Sequence, residues 1–337
     1  MAIAANTVTL ADYALMSNAP LVQRVTFSLI QNGNILQDIP MVSKKSFIIN
    51  GTRFDGTSLP SINWSQLNAE PVTTKATPVP YQEQAFLLRN TIDVDKYIVE
   101  EENSIVDPRG IQTEAYLKAL TYDVNFKYFN NDHVAGDANA PVGLKYRINN
   151  GTLFGVRSEN KIDAGTVNIS QAGATQATAN KFVEFLDQLL WSVDAPDGDG
   201  VVLYMNEVMK RRFNFLLRLL GTSGGLDITR DQFDRVQTSY KGAVIRDPGY
   251  KADQTTRIIS NLENTDGTDT GASVQTSIYA VNYSEDHLMG WQFNPPNVQD
   301  LGLINNGVIY RTLIDYAVGI ANTSTRSIAR LYDIKVA

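Results

Sequence analysis

The side chains with the most chemistry to offer are two histidines, His133 and His287, and one serine set among glycines. Gly221-Thr222-Ser223-Gly224-Gly225 has the form G-x-S-x-G, and Asp247 and His287 follow it in the Ser, Asp, His order of the α/β-hydrolases. A nucleophile elbow needs a strand before the serine and a helix after it. Here FNFLLRLL, which precedes it, has helical periodicity, and LDITRDQF, which follows, forms no evident helix. A serine hydrolase using Ser223 is therefore retained only as the alternative from another functional class.

The remaining candidate chemistry is sparser. Each histidine stands beside acids, Asp132 for one and Glu285 and Asp286 for the other, the ordinary setting of a surface imidazole. The GDG around Asp197 and Asp199 suggests a calcium loop. With Gly200 as its invariant glycine, however, the first and last ligand positions fall on Ala195 and Asn206, and both lack a carboxylate. Glu100, Glu101 and Glu102 read as a solvated acidic run. There is no HExxH, no phosphate-binding P-loop and no GxGxxG between a strand and a helix. The absence of cysteine excludes disulfides, thiolate nucleophiles and cysteine-bound zinc. The expectation is a protein that is not an enzyme, with no catalytic residue, cofactor or metal.

Length and charge bound the alternatives. A chain of 337 residues with 43% hydrophobic content can fill two compact lobes. A net charge of -7 disfavours tight nucleic-acid binding, so any nucleic acid nearby would be enclosed rather than gripped. The first twenty residues lack a basic n-region and a cleavage site, and no stretch approaches about 18 consecutive apolar residues. Neither export nor membrane insertion is expected.

The element best marked by local sequence runs from Asp107 to about Asn131. Asp107 suits the N-cap and Pro108 the first helical position. Ile111, Ala115, Tyr122, Phe126 and Phe129 form one stripe at helical spacing, and Tyr116, Leu120 and Val124 an adjacent one. Such a helix would be roughly 35 Å long, a spine for the subunit. Ahead of it, Leu21, Val25 and Leu29 mark a short amphipathic segment before the Asn32-Gly33 turn. Residues 35–99 then read as strand and extended loop, with EPVTTKATPVPY as the far part of a two-stranded arm. An isolated hairpin is marginal in water, so the arm should be completed by a neighbouring chain; the alternative is an edge hairpin lying over its own domain.

Beyond the spine, residues 165–180 read as a loop and lobe boundary. Thr178 is placed as the cap of a helix burying Phe182, Phe185, Leu186, Leu189, Leu190 and Val193. VVLYM reads as a buried strand, and Asn206 as the cap of a helix carrying Met209, Phe213, Leu216, Leu217 and Leu220. Strands are expected at 242–246, at 277–283 and at 308–320, the last with Tyr310, Thr312, Ile314, Tyr316, Val318 and Ile320 on one face. SIARLYDIKV closes the chain as a strand.

The order of these parts, with DPRG opening the spine and the stretches VVLYMNEVMKRRF, SYKGAVIRDPG, TSIYAVNYSEDHLMGWQ and AVGIANTSTRSIARLYDIKV, resembles a major capsid protein of tailed double-stranded DNA bacteriophages. The resemblance implies the α+β, Hong Kong 97-like fold. It places an N-terminal arm at 1–35, an extended β-hairpin loop at 36–99, a peripheral domain at 100–185 with the spine helix at 107–131, an axial domain at 186–284 and return strands at 285–337. It implies a shell protein that self-assembles into pentamers and hexamers of an icosahedral head, enclosing double-stranded DNA without sequence-specific binding. Scaffolding, portal and decoration proteins would be further partners. The place of action would be the virion, assembled in the host cytoplasm, with no membrane and no cofactor.

On this reading Trp64, Leu67, Tyr81 and Phe86 give the extended loop its apolar contacts with neighbours. Lys44, Lys45, Arg53, Glu70 and Lys75 give it charge pairs, and Asp107, Pro108, Ile111, Ala115, Tyr122 and Phe126 set the spine. Only about a hundred residues precede the spine helix, so a separate scaffolding protein or a processed chain is implied. An encapsulin-type compartment, the same fold around a protein cargo, is the nearer alternative.

Overall fold

The computed structural model describes residues 34–54, 58–99, 108–221, 226–230, 236–268, 274–304 and 307–336. The amphipathic segment at 21–29, Glu100 to Glu102, the cap at Asp107 and Ser223 lie outside the described residues.

One lobe is a seven-stranded sheet in the order β5 (Lys161–Asn168), β13 (Ile328–Lys335), β10 (Gln275–Asn282), β6 (Val201–Tyr204), β9 (Ala243–Arg246), β8 (Val236–Tyr240), β7 (Leu226–Arg230). Its centre is covered on both faces, and every residue of β6 and β10 is buried. Side-chain alternation divides β10 between two cores. Ile278 and Ala280 face the helices Gln176–Ser192 and Glu207–Leu220, while Tyr279 and Val281 face Leu117, Tyr128 and Phe129 of the spine.

Caps set both helices of this lobe. Asn206 Oδ1 accepts the Met209 amide at 2.8 Å, as the sequence indicates. Gly221, in the left-handed region at φ 65°, ends the same helix. The cap of Gln176–Ser192 is Thr175 rather than Thr178. Thr178 sits at the third helical position and completes a reciprocal capping box with Thr175. The passage expected to be a loop from 165 instead begins inside β5, which runs parallel to β13.

The second sheet has the order β1 (Met41–Ser43), β11 (Leu288–Ile304), β12 (Ile309–Asn322), β4 (Phe86–Asp95). In β12, Thr312, Ile314 and Tyr316 are buried in the predicted alternation, with Tyr310 only half-buried at the outer end; from Tyr316 to Asn322 both faces are buried. Its 17-residue partner β11 lies within the 285–337 that the resemblance gives to return strands, but no alternation in the sequence marks it. Pro295 and Pro296 have no amide to give, and the register with β12 shifts on both sides of Asn294, so no clean alternation survives.

The spine is Pro108–Asn130, 23 residues or about 35 Å. Its buried side differs from the expected one. Leu117, Leu120, Thr121, Asn125, Tyr128 and Phe129 are buried, while Ala115 is exposed and Tyr122 and Phe126 are half-buried. Two polar residues conceal this stripe from an apolar count. Thr121 spends its hydroxyl on the Leu117 carbonyl at 3.0 Å and so can face the core.

The short helix Asn34–Asp38 and β1 strap the two lobes together. Asp38 receives the Tyr204 hydroxyl at 2.9 Å and Arg246 at 3.2 Å, and Tyr283 joins Tyr204 to Tyr128 through hydroxyls 3.0 and 2.6 Å apart. Burial pushes the Tyr204 and Tyr283 phenols far above their usual range, so both remain neutral donors.

Candidate intersubunit surface

Between β1 and β4 the chain leaves the body. β2 (Ile48–Arg53) and β3 (Val79–Gln84) form a hairpin paired only to itself among the described residues, in register from Ile48 opposite Gln84 to Arg53 opposite Val79. The part that leaves the body is thus shorter than the span 36–99 expected for an extended loop. Residues 36–43 and 86–95 belong to the body, the latter as the strand paired with β12.

The root of the hairpin is locked down. Glu83 and Arg147 form a buried, bidentate pair at 2.6 and 3.0 Å, and Arg147 also donates to the carbonyls of Val142 and Ile320. Arg53 donates to the Phe154 carbonyl at 2.6 Å and stacks over Tyr81. Gly155 lets that guanidinium in: at φ 67°, a Cβ there would lie 2.2 Å from Arg53 Cζ. Phe47 stacks on Phe293 with centroids 4.5 Å apart.

Two expected contact residues are therefore internal. Arg53 is 6% exposed and serves its own body, and Phe86, at 9%, is buried in β4 beside Val318 of β12. Tyr81 is half-buried against Arg53. Expectation failed here because burial in cis and burial by a neighbour leave the same apolar signature in sequence. The Glu83–Arg147 pair was not foreseen; its one trace is an arginine on the same helical side as Leu144 and Ile148 in LKYRIN.

The far part is different. Residues 59–78 are exposed without exception, although they carry Leu59, Ile62, Trp64, Leu67 and Val72. Ile62 is 85%, Trp64 98% and Leu67 94% exposed. Lys44, Lys45, Glu70 and Lys75 are exposed as well. Ser58 and Thr77 close the base of this tip through the Thr77 amide and the Ser58 carbonyl, 2.9 Å apart. A large, uncovered apolar set held out on an anchored stalk is the mark of a partner surface.

Of the candidate hydrolase residues, Ser223 is outside the described part of the chain, and Asp247 and His287 sit among different charged neighbours. Asp247 accepts the Gly249 amide at 2.9 Å, and burial pushes its carboxyl up. Burial pushes the His287 imidazole down, and the acids pulling against that are Asp194 and Asp286. Gly221 ends a helix where an elbow would need a strand. Among the described residues no cluster of three acidic or histidine side chains is disposed to hold a metal, and no helix is long and apolar enough to cross a membrane.

No family model matches the chain, and no curated protein matches it in sequence. Solved structures do match in shape. The SrpI encapsulin of Synechococcus elongatus PCC 7942 aligns with a TM-score of 0.58 at 12% identity, covering 96% of this chain and 94% of that one. The capsid of cyanophage A-1(L) aligns at 0.55 and 13%, covering 98% and 97%. The capsid of an empty GTA particle aligns at 0.55 and 11%, covering 91% and 90%.

Proposed function

We propose that this chain, which has the Hong Kong 97-like fold of those shells, is itself a shell subunit whose principal partner is further copies of the same chain. The observation that carries the reading is the uncovered tip at 59–78 on its locked hairpin. Burying Ile62, Trp64 and Leu67 against a neighbour is worth about 5–9 kcal/mol before ordering and association costs are subtracted. Repeated around a closed surface, contacts of this size stabilise a particle while each remains weak enough to correct misplacement.

The finer reading is a phage head of pentamers and hexamers around double-stranded DNA. In it the hairpin is the extended loop and Pro108–Asn130 the spine of the peripheral domain. The seven-stranded lobe is the axial domain, and it borrows strands from 161–168 and 328–335. Scaffolding, portal and decoration proteins would complete the head in the host cytoplasm. The likeness to an encapsulin over 96% of the chain supports a second reading, a compartment around protein cargo.

Electron microscopy of the purified protein tests the shared part: capsomer rings or closed particles support it, and compact monomers or dimers refute it. The contents of particles isolated from the native source, nuclease-protected DNA or a protein, separate the two readings. Replacing residues 61–76 with a short Gly-Ser linker leaves the Ser58–Thr77 closure intact. The subunit should then fold with an unchanged circular dichroism spectrum and form few or no shells. Wild-type shell yield would refute the role given to the tip.

A further inference from the structure

β4 is an outer strand of the four-stranded sheet: among the described residues it pairs with β12 on one side and with no strand on the other. It is ten residues long, contains no proline, and is exposed on both faces at Arg89, Asn90 and Thr91. Among the described residues this edge has no strand partner for its outward amides and carbonyls, and proteins ordinarily cover or blunt such an edge.

The charges on this edge have a pattern. Arg89, Thr91 and Asp93 share one face, and each charge is already answered from β12. Arg89 pairs with Asp315 at 3.2 Å, and Asp93 receives both Nε and Nη2 of Arg311 at 2.7 and 2.5 Å. We propose that a second copy of this chain pairs antiparallel along β4 about a two-fold axis, with Thr91 opposite Thr91 of the partner subunit.

In that register Arg89 lies opposite Asp93 of the partner subunit, and the axis repeats the pair in reverse. The row across four strands then reads Asp315, Arg89, Asp93 of the partner subunit, Arg311 of the partner subunit, alternating in sign throughout. Opposed charges on directly facing residues favour a register, and like charges disfavour it. Centring on Ile92 also sets Arg89 against an acid, Asp95. It leaves Asp93 facing a threonine, however, and Asp95 already accepts the Tyr97 amide at 2.9 Å.

The tip of a neighbour's hairpin fits the edge less well. Pro60, Pro71 and Pro78 interrupt its pairing, and Glu70 and Lys75 are five residues apart where Arg89 and Asp93 are four. The paired strands make one continuous sheet of two subunits, an isologous contact of the kind that closed symmetric assemblies use. The inference stands apart from the shell reading, because a dimer alone would display it.

The chain has no cysteine, which permits a direct test. Facing residues in an antiparallel pair have Cα atoms about 4.5–5.5 Å apart, within disulfide reach. Full-length Thr91→Cys should therefore give a covalent dimer as the main species on a non-reducing gel after mild oxidation, reversed by dithiothreitol. Leu87→Cys, also exposed, should give only a trace, since its copies would be roughly 27 Å apart. No dimer from Thr91→Cys, or equal yields from the two variants, overturns the proposal. So does a Thr91→Cys/Thr74→Cys double variant that cross-links chiefly between positions 91 and 74.

Discussion

Glu83 and Arg147 illustrate how much one pair of side chains can decide. Both are buried, and the guanidinium gives two further donors to backbone carbonyls, so the arginine's charge is answered only while the carboxylate is present. Taking one member away leaves a buried charge unanswered, which costs about 3–5 kcal/mol. Glu83→Ala should lower stability by that amount, measured by urea unfolding of the unassembled subunit, while Glu83→Gln should lose less because it keeps a hydrogen-bonding oxygen. Proteolysis should also change: the hairpin root is held by this pair, so cleavage within 48–53 and 79–84 should accelerate in Glu83→Ala. A loss of stability below about 1 kcal/mol would mean that the pair is not the clamp described.

At the scale of elements, the spine shows what sequence can and cannot settle. Its limits were legible because Pro108 is a local signal and the periodic stretch is long. Its buried side was not, because Thr121 and Asn125 sit in the inward stripe while apolar Ala115 faces solvent. The consequence is measurable: Leu117→Ala should cost about 2–5 kcal/mol, whereas Ala115→Ser should stay within about 0.5 kcal/mol, compared by thermal or urea unfolding. Equal effects would mean that the helix is rotated from the orientation seen. The same distinction runs through the rest of the chain. The caps at Asn206 and the alternation in β12 depend on neighbours in sequence and were readable. β11 was hidden by Pro295 and Pro296, and Arg53 and Phe86 were assigned outward because only the tertiary fold reveals that their partners are Phe154 and the core. Trp64 and Leu67, expected to contact a neighbouring subunit, are exposed on the single chain.

For the whole molecule, the proposed shell role separates stability from assembly, because the groups that hold the subunit together lie apart from the exposed apolar tip at 59–78. Trp64 is 98% exposed and contributes almost nothing to its own chain. Trp64→Ala should leave the unfolding midpoint of the isolated subunit unchanged. If the tip makes the proposed contact, the same side chain would be buried once per subunit in a shell, and its loss would remove about 2 kcal/mol from that contact. A loss of that size raises the concentration at which particles form by about thirtyfold. Light scattering against subunit concentration measures the threshold, and calorimetry of the unassembled chain supplies the control. An unchanged threshold would place Trp64 outside the contact and leave the tip without the role assigned to it. A lowered midpoint together with a raised threshold would show instead that residues 59–78 support their own subunit, and the division between body and projecting tip would fail.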